Sequence, residues 1–154
     1  MGKKITIPAT ACIVITVVVF LELHVFRLPT YQTTTVSIIT SDPYAWVNKT
    51  VILEGNLDGP IITPGDLSLP YDYELNSSGQ TIGLSFSTSV NLSKSFYSDQ
   101  YIDAATGNGS SVRIYFLDSS LTVRIYGVGK EGEIHSHSPP RVTYYIETEK
   151  IERV

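Results

Sequence analysis

The hydrophobic pattern changes period once along this chain. Residues 5–21 carry no charge over seventeen positions and are dominated by Ile, Val, Ala and Thr. With Glu22 and His24 placed at an interface, the apolar segment runs to Phe26 and counts 22 residues. At 1.5 Å per residue such a helix spans about 33 Å, enough for a hydrocarbon core of about 30 Å. The pattern therefore predicts a transmembrane helix over residues 5–26. Pro8 falls near its start, where a missing N–H costs least.

Further along, apolar residues alternate with polar ones, the period of a half-buried strand. In 50–57, Val51, Leu53 and Gly55 share one side and Ile52 and Glu54 the other. Segments 71–75 and 81–86 alternate around a Ser- and Gly-containing turn at 76–80, which predicts a hairpin. A Val-Arg-Ile-Tyr phrase occurs at 112–115 and again at 123–126, with turn residues at 118–120 between the copies. A final strand is expected over 142–148, continuing toward Ile151, after a turn at 129–132 that carries Gly129 and Gly132. Tyr97, Tyr101 and Ala104 fall at helical spacing, so a short helix is expected within 97–105. Asp42 and Pro43 read as a cap and first position of a brief helical turn that brings Trp46 over the core. The expected organisation is a cytoplasmic N-terminus at 1–4, the membrane helix at 5–26, a polar stalk at 27–42 and one β-domain at 43–154.

Orientation follows from charge. Lys3 and Lys4 precede the apolar run and only Arg27 closely follows it, a bias that keeps the N-terminus in the cytoplasm. Residues 21–28 are bulky or charged throughout, with no small-x-small cleavage site, so a retained anchor is expected rather than a removed signal peptide. Four Asn-x-Ser/Thr sequons, at Asn48, Asn76, Asn91 and Asn108, all lie beyond the anchor and point to glycosylation outside the cell. The expected localisation is the cell membrane, single-pass, with the C-terminal domain extracytoplasmic. Cys12 is the one cysteine, so no internal disulfide can form. The Ser/Thr/Tyr-rich, Lys-poor domain resembles archaeal surface proteins in composition.

Beyond position 30 the chain has eight Lys/Arg against fourteen Asp/Glu, a net charge of −6. Such a surface repels phosphate backbones, which excludes nucleic acid from the expected partners.

The phrase Val-x-Leu/Ile-x-Gly occurs at 51–55 and again at 123–127, and the closing segment carries Ile146 and Ile151 five residues apart. Over residues 44–152 this arrangement resembles the OB-fold, whose first and fourth strands carry such glycines and whose closing strand has that spacing. The resemblance implies a small five- to six-stranded barrel with one short helix; the strand at 112–117 exceeds the minimal five. A β-sandwich is the alternative. It also implies ligand contact through the second and third strands and through loops 58–70 and 129–141. Tyr73, Tyr115, Tyr126 and Tyr145 are the candidate ligand-face residues, with sheet packing as their ordinary role.

Glu133, His135 and His137 alternate in an extended segment, so one carboxylate and two imidazoles face one side and form a candidate Zn²⁺ or Cu²⁺ site. Membrane-anchored OB domains are also similar to haem chaperones, whose motif sets Tyr four residues after His. Here Pro139 follows His135 and Arg141 follows His137 at that distance, so haem handling is not supported. No nucleotide loop, nucleophile elbow or catalytic carboxylate pair is present. No cofactor is expected. The sequence thus leads to a non-enzymatic membrane-anchored domain that binds an envelope protein or a glycan. The alternatives are a pilin-like filament subunit, an N-terminal apolar helix with a β-head, and a metal-dependent or haem-handling envelope protein.

Overall fold

A computed structural model describes residues 29–62, 68–105, 109–135 and 139–154. The chain divides into two units, Met1–Thr30 and Tyr31–Val154, and the description below concerns the second. The predicted membrane span 5–26 and Cys12 lie outside the described residues. Among the described residues no helix is long and apolar enough to cross a membrane.

The second unit is mostly β. Its elements are β1 (Gln32–Thr33), α1 (Val36–Ser41), a 3-10 turn (Pro43–Trp46), β2 (Thr50–Asp58), β3 (Tyr73–Ser77) and β4 (Gln80–Phe86). A second 3-10 turn (Lys94–Phe96) leads to β5 (Tyr97–Ala105), β6 (Ser111–Leu117), β7 (Thr122–Ile134) and β8 (Arg141–Arg153). One sheet has the order β1-β2-β3-β4-β8-β7, and β7 pairs back onto β2. The pairings β2–β3–β4–β8–β7 therefore return to β2, antiparallel everywhere except between β4 and β8. The short β1 lies parallel to β2. β5 and β6 form a separate two-stranded sheet.

Alternation fills the interior. Val51, Leu53 and Leu57 of β2, Leu75 of β3, Leu84 of β4, Val123 and Ile125 of β7 and Ile146 of β8 are all buried and pack into one core. Val36 and Ile39 from α1 join them, as do Phe96 and Leu117. Thr35 caps α1 by accepting a hydrogen bond from the Ile38 N–H at 3.3 Å. The expected stalk thus ends early, because a stalk would leave Val36 and Ile39 in water and both are buried. Asp42 caps the following turn as expected, accepting from the Ala45 N–H at 3.4 Å, and Trp46 packs half-buried against the core.

The repeated glycine has a physical cause. A Cβ on Gly55 would stand 2.5 Å from the Asn76 carbonyl oxygen of β3, and one on Gly127 would stand 2.5 Å from the Glu147 carbonyl oxygen of β8. Both are strand positions where a neighbouring backbone comes too close for any side chain. Beside Gly127 the β7–β8 register shifts, with Tyr126 opposite Lys150 and Gly127 opposite Thr148, so Glu149 is an extra residue. That bulge explains the odd spacing of Ile146 and Ile151: the extra residue returns Ile151 to the core-facing side.

Three local expectations are corrected. Residues 97–105 form strand β5, not a helix, and the α-helix of the domain is α1. The four-residue step from Tyr97 to Tyr101 fits both periods, and cross-strand pairs Ile102–Ile114 and Ala104–Val112 settle it as β. Residues 129–132 continue β7 instead of turning. Gly129 serves close approach there, since its Cβ would collide with the Trp46 carbonyl, and Gly132 packs on Pro70. The last strand is longer than expected at both ends.

Gly55→Ala and Gly127→Ala are each expected to lower unfolding stability by about 1–3 kcal/mol, the scale of overpacking a close-packed site. Urea midpoints measure this, and unchanged midpoints would mean that the paired strands can separate without cost.

Candidate functional site

The β5–β6 hairpin owes its position to its base. The Leu117 N–H donates to the Gly59 carbonyl at 2.8 Å, just past the end of β2, and the Asp118 N–H donates to the Phe96 carbonyl at 2.9 Å. Phe96 and Leu117 are buried in the core, so the hairpin is anchored there. Toward its tip the burial disappears: Tyr101, Val112 and Tyr115 are 47%, 53% and 45% exposed.

On one face of the hairpin the side chains hold each other. Arg113 donates to both carboxylate oxygens of Asp103, at 2.9 and 3.2 Å. Its guanidinium carbon lies 4.0 Å from the Tyr101 ring centre, and Tyr101 lies 5.7 Å from Tyr115. Cation–π attraction and the bidentate ion pair together fix the two rings. The Arg113 hydrogen bonds hold the Asp103 carboxyl below the ordinary carboxylate range.

Beside Tyr115 opens a cleft of about 770 Å³, lined by Leu92, Lys94, Ser95, Tyr97, Ser98, Asp99 and Tyr115. Ser98 donates to the Phe116 carbonyl at 3.1 Å and accepts from the Gln100 N–H at 3.2 Å. Ser95 and Ser93 share a hydrogen bond of 2.7 Å. The side chains of Lys94 and Asp99 have no hydrogen-bond or ion-pair partner among the described residues.

The four tyrosines expected on a ligand face occupy four different settings. Tyr115 lines the cleft. Tyr73 is half-buried with its ring 4.6 Å from Phe86, and burial, followed by the neighbouring Tyr97 and Asp72, raises its phenol pKa. Tyr126 stands edge-on to Tyr31 at 5.5 Å, donates to Glu152 at 2.9 Å and lies under Lys150. Its neighbour Tyr31 donates to Glu149 at 2.6 Å, a bond that, ahead of burial, pushes the Tyr31 phenol up to about 12. Tyr145 packs 6.2 Å from Tyr71 and over Gly132.

The candidate metal residues are brought only partly together. Glu133 and His135 are exposed, with His135 Nε2 4.0 Å from Glu133 Oε2, and His137 lies outside the described residues. Among the described residues no three His, Cys, Asp or Glu side chains gather to hold a metal ion. Of the sequons, Asn48, Asn76 and Asn91 are exposed and Asn108 lies outside the described residues. Sequence reasoning passed over Lys94 and Asp99, and placed Tyr101 in a helix instead of at the site. The available signal was alternation through Tyr97, Asp99 and Tyr101, which helical spacing masked.

Comparison with protein-family models, curated proteins and solved structures finds no match for this chain.

The depressed Asp103 carboxyl sets a pH test. Its folded-state pKa lies below the unfolded value, so the Arg113 clamp contributes fully above the ordinary carboxylate range near 4 and is lost as pH falls through the depressed value. NMR signals of Arg113 Nε and the Tyr101 ring are expected to stay constant down to about pH 4 and shift below it. Asp103→Asn should leave them acid-insensitive; a transition above the ordinary range would contradict the clamp.

Proposed function

We propose that this chain is a non-enzymatic, membrane-anchored, extracytoplasmic binding domain whose barrel is an OB-fold. Three features support the fold reading: the pairing order β2–β3–β4–β8–β7 with return to β2, the parallel β4–β8 pair, and the matched glycines at 55 and 127. The anchor is residues 5–26, with the N-terminus cytoplasmic, the domain outside and the exposed sequons available for glycosylation. An acidic surface favours a protein or glycan partner over nucleic acid.

One observation carries the binding reading: the β5–β6 hairpin lies outside the closed sheet and leaves Tyr101 and Tyr115 on one face and Val112 on the other about half exposed, with Tyr115 lining an open cleft. Two strands alone are marginal in water, and clustered exposed apolar side chains mark interaction surfaces. The contact surface is therefore the hairpin and its cleft, not the barrel wall.

A photo-crosslinker placed at Val112 of the full chain in native membranes is expected to give a discrete adduct. The same group at Tyr44, which is 73% exposed on the 3-10 turn, should not. Equal labelling at both positions, or none at Val112 with a monomer on solubilisation, would reject the reading.

A further inference from the structure

We infer that the cleft between the Lys94–Phe96 turn and the hairpin is a saccharide site that takes a neutral oligosaccharide. This rests on the binding reading above and names the ligand class. At about 770 Å³ the cleft lies within the roughly 300–1,000 Å³ of small-ligand sites and admits several sugar rings.

A pyranose ring presents an apolar C–H face and a rim of hydroxyls that each donate and accept. Tyr115 supplies the matching aromatic wall. Its orientation is fixed beforehand through Tyr101, Arg113 and Asp103, so ordering it costs little on binding. Asp99 and Lys94 supply the polar partners. A carboxylate accepts from two neighbouring hydroxyls, an ammonium donates to a third, and neither group has a protein partner among the described residues. The cleft serines are satisfied within the protein, and the two charged groups of the lining, Lys94 and Asp99, carry opposite signs.

Competing ligands fit less well. A purely apolar occupant would desolvate a carboxylate and an ammonium without pairing either. Polyanionic sugars and nucleotides meet a domain of charge −6. An extended peptide would need a straight run of free backbone groups. Along the cleft β5 is irregular between Tyr97 and Tyr101, and the Gln100 N–H is already taken by Ser98, so no such run lines it.

The test uses the full chain in nanodiscs free of glycosidic detergent, titrated with chitotriose, maltotriose and trigalacturonate. A neutral trisaccharide is expected to bind saturably and perturb the Tyr115 ring resonances, with trigalacturonate weaker. Tyr115→Ala and Asp99→Asn should each lower affinity at least tenfold at unchanged melting temperature, and Tyr44→Ala should not. Binding that survives both cleft variants, preference for trigalacturonate, or displacement of the sugar by nothing but a peptide would overturn the proposal. If no neutral sugar binds while the Val112 crosslink still forms, the saccharide reading falls and the binding reading stands; loss of both removes both.

Discussion

Everything in this domain depends on the return of β7 onto β2. Seven consecutive residue pairs, from Thr50–Val128 to Asn56–Thr122, join the two strands antiparallel. Side chains alternate across a strand, so this register decides which residues face inward: Val51, Leu53 and Leu57 from one strand meet Val123 and Ile125 from the other. Closure also forces neighbouring backbones together. Gly55 stands under the β3 carbonyl of Asn76, and Gly127 stands under the β8 carbonyl of Glu147. A side chain at either point would push apart strands that the same sheet needs paired. The closed sheet removes hydrogen-bonding edges, which keeps the wall from recruiting other strands.

The wall is satisfied electrostatically as well. Glu54 pairs with Arg124 at 2.5 Å, Lys130 with Glu147 at 3.1 Å and Lys150 with Glu152 at 2.6 Å. Exposed pairs of this kind add little stability, but they leave few unanswered charges on the outer face of β2, β7 and β8. The hairpin differs on both counts. It keeps strand edges, it exposes tyrosines and valine, and the cleft at its side holds the unpartnered Lys94 and Asp99. Surface that the fold does not use is concentrated there.

Much of the main sheet was legible in the sequence because alternation and glycine are local signals. Strand β2, the β3–β4 hairpin and the repeated Val-x-Leu/Ile-x-Gly phrase all follow from side-chain period and from what a Cβ would strike. Features that depended on distant partners were not legible. Val36 and Ile39 look like a short apolar patch in a polar stretch until β3 and β4 are there to cover them. Gly129 and Gly132 look like a turn until Trp46 and Pro70 stand against them. Tyr97 and Tyr101 satisfy two periods at once, and only the pairing with β6 separates them. The candidate site suffered for the same reason: its residues come from a 3-10 turn and two strands, and only Tyr115 among the expected ligand tyrosines lines it.

The placement of the hairpin bears on how a tethered domain would use it. The chain enters the unit at Tyr31, and β1 lies against the start of β2, with Gln32 opposite Val51. The hairpin is fastened at Gly59, where β2 has ended. Eight residue-to-residue steps lead from Val51 to Gly59, at most about 26 Å at 3.3 Å per step. Entry and cleft thus belong to opposite ends of one strand. The domain itself is acidic, and two of its four lysines, Lys130 and Lys150, are already paired along the wall, so it gives an anionic bilayer little to hold.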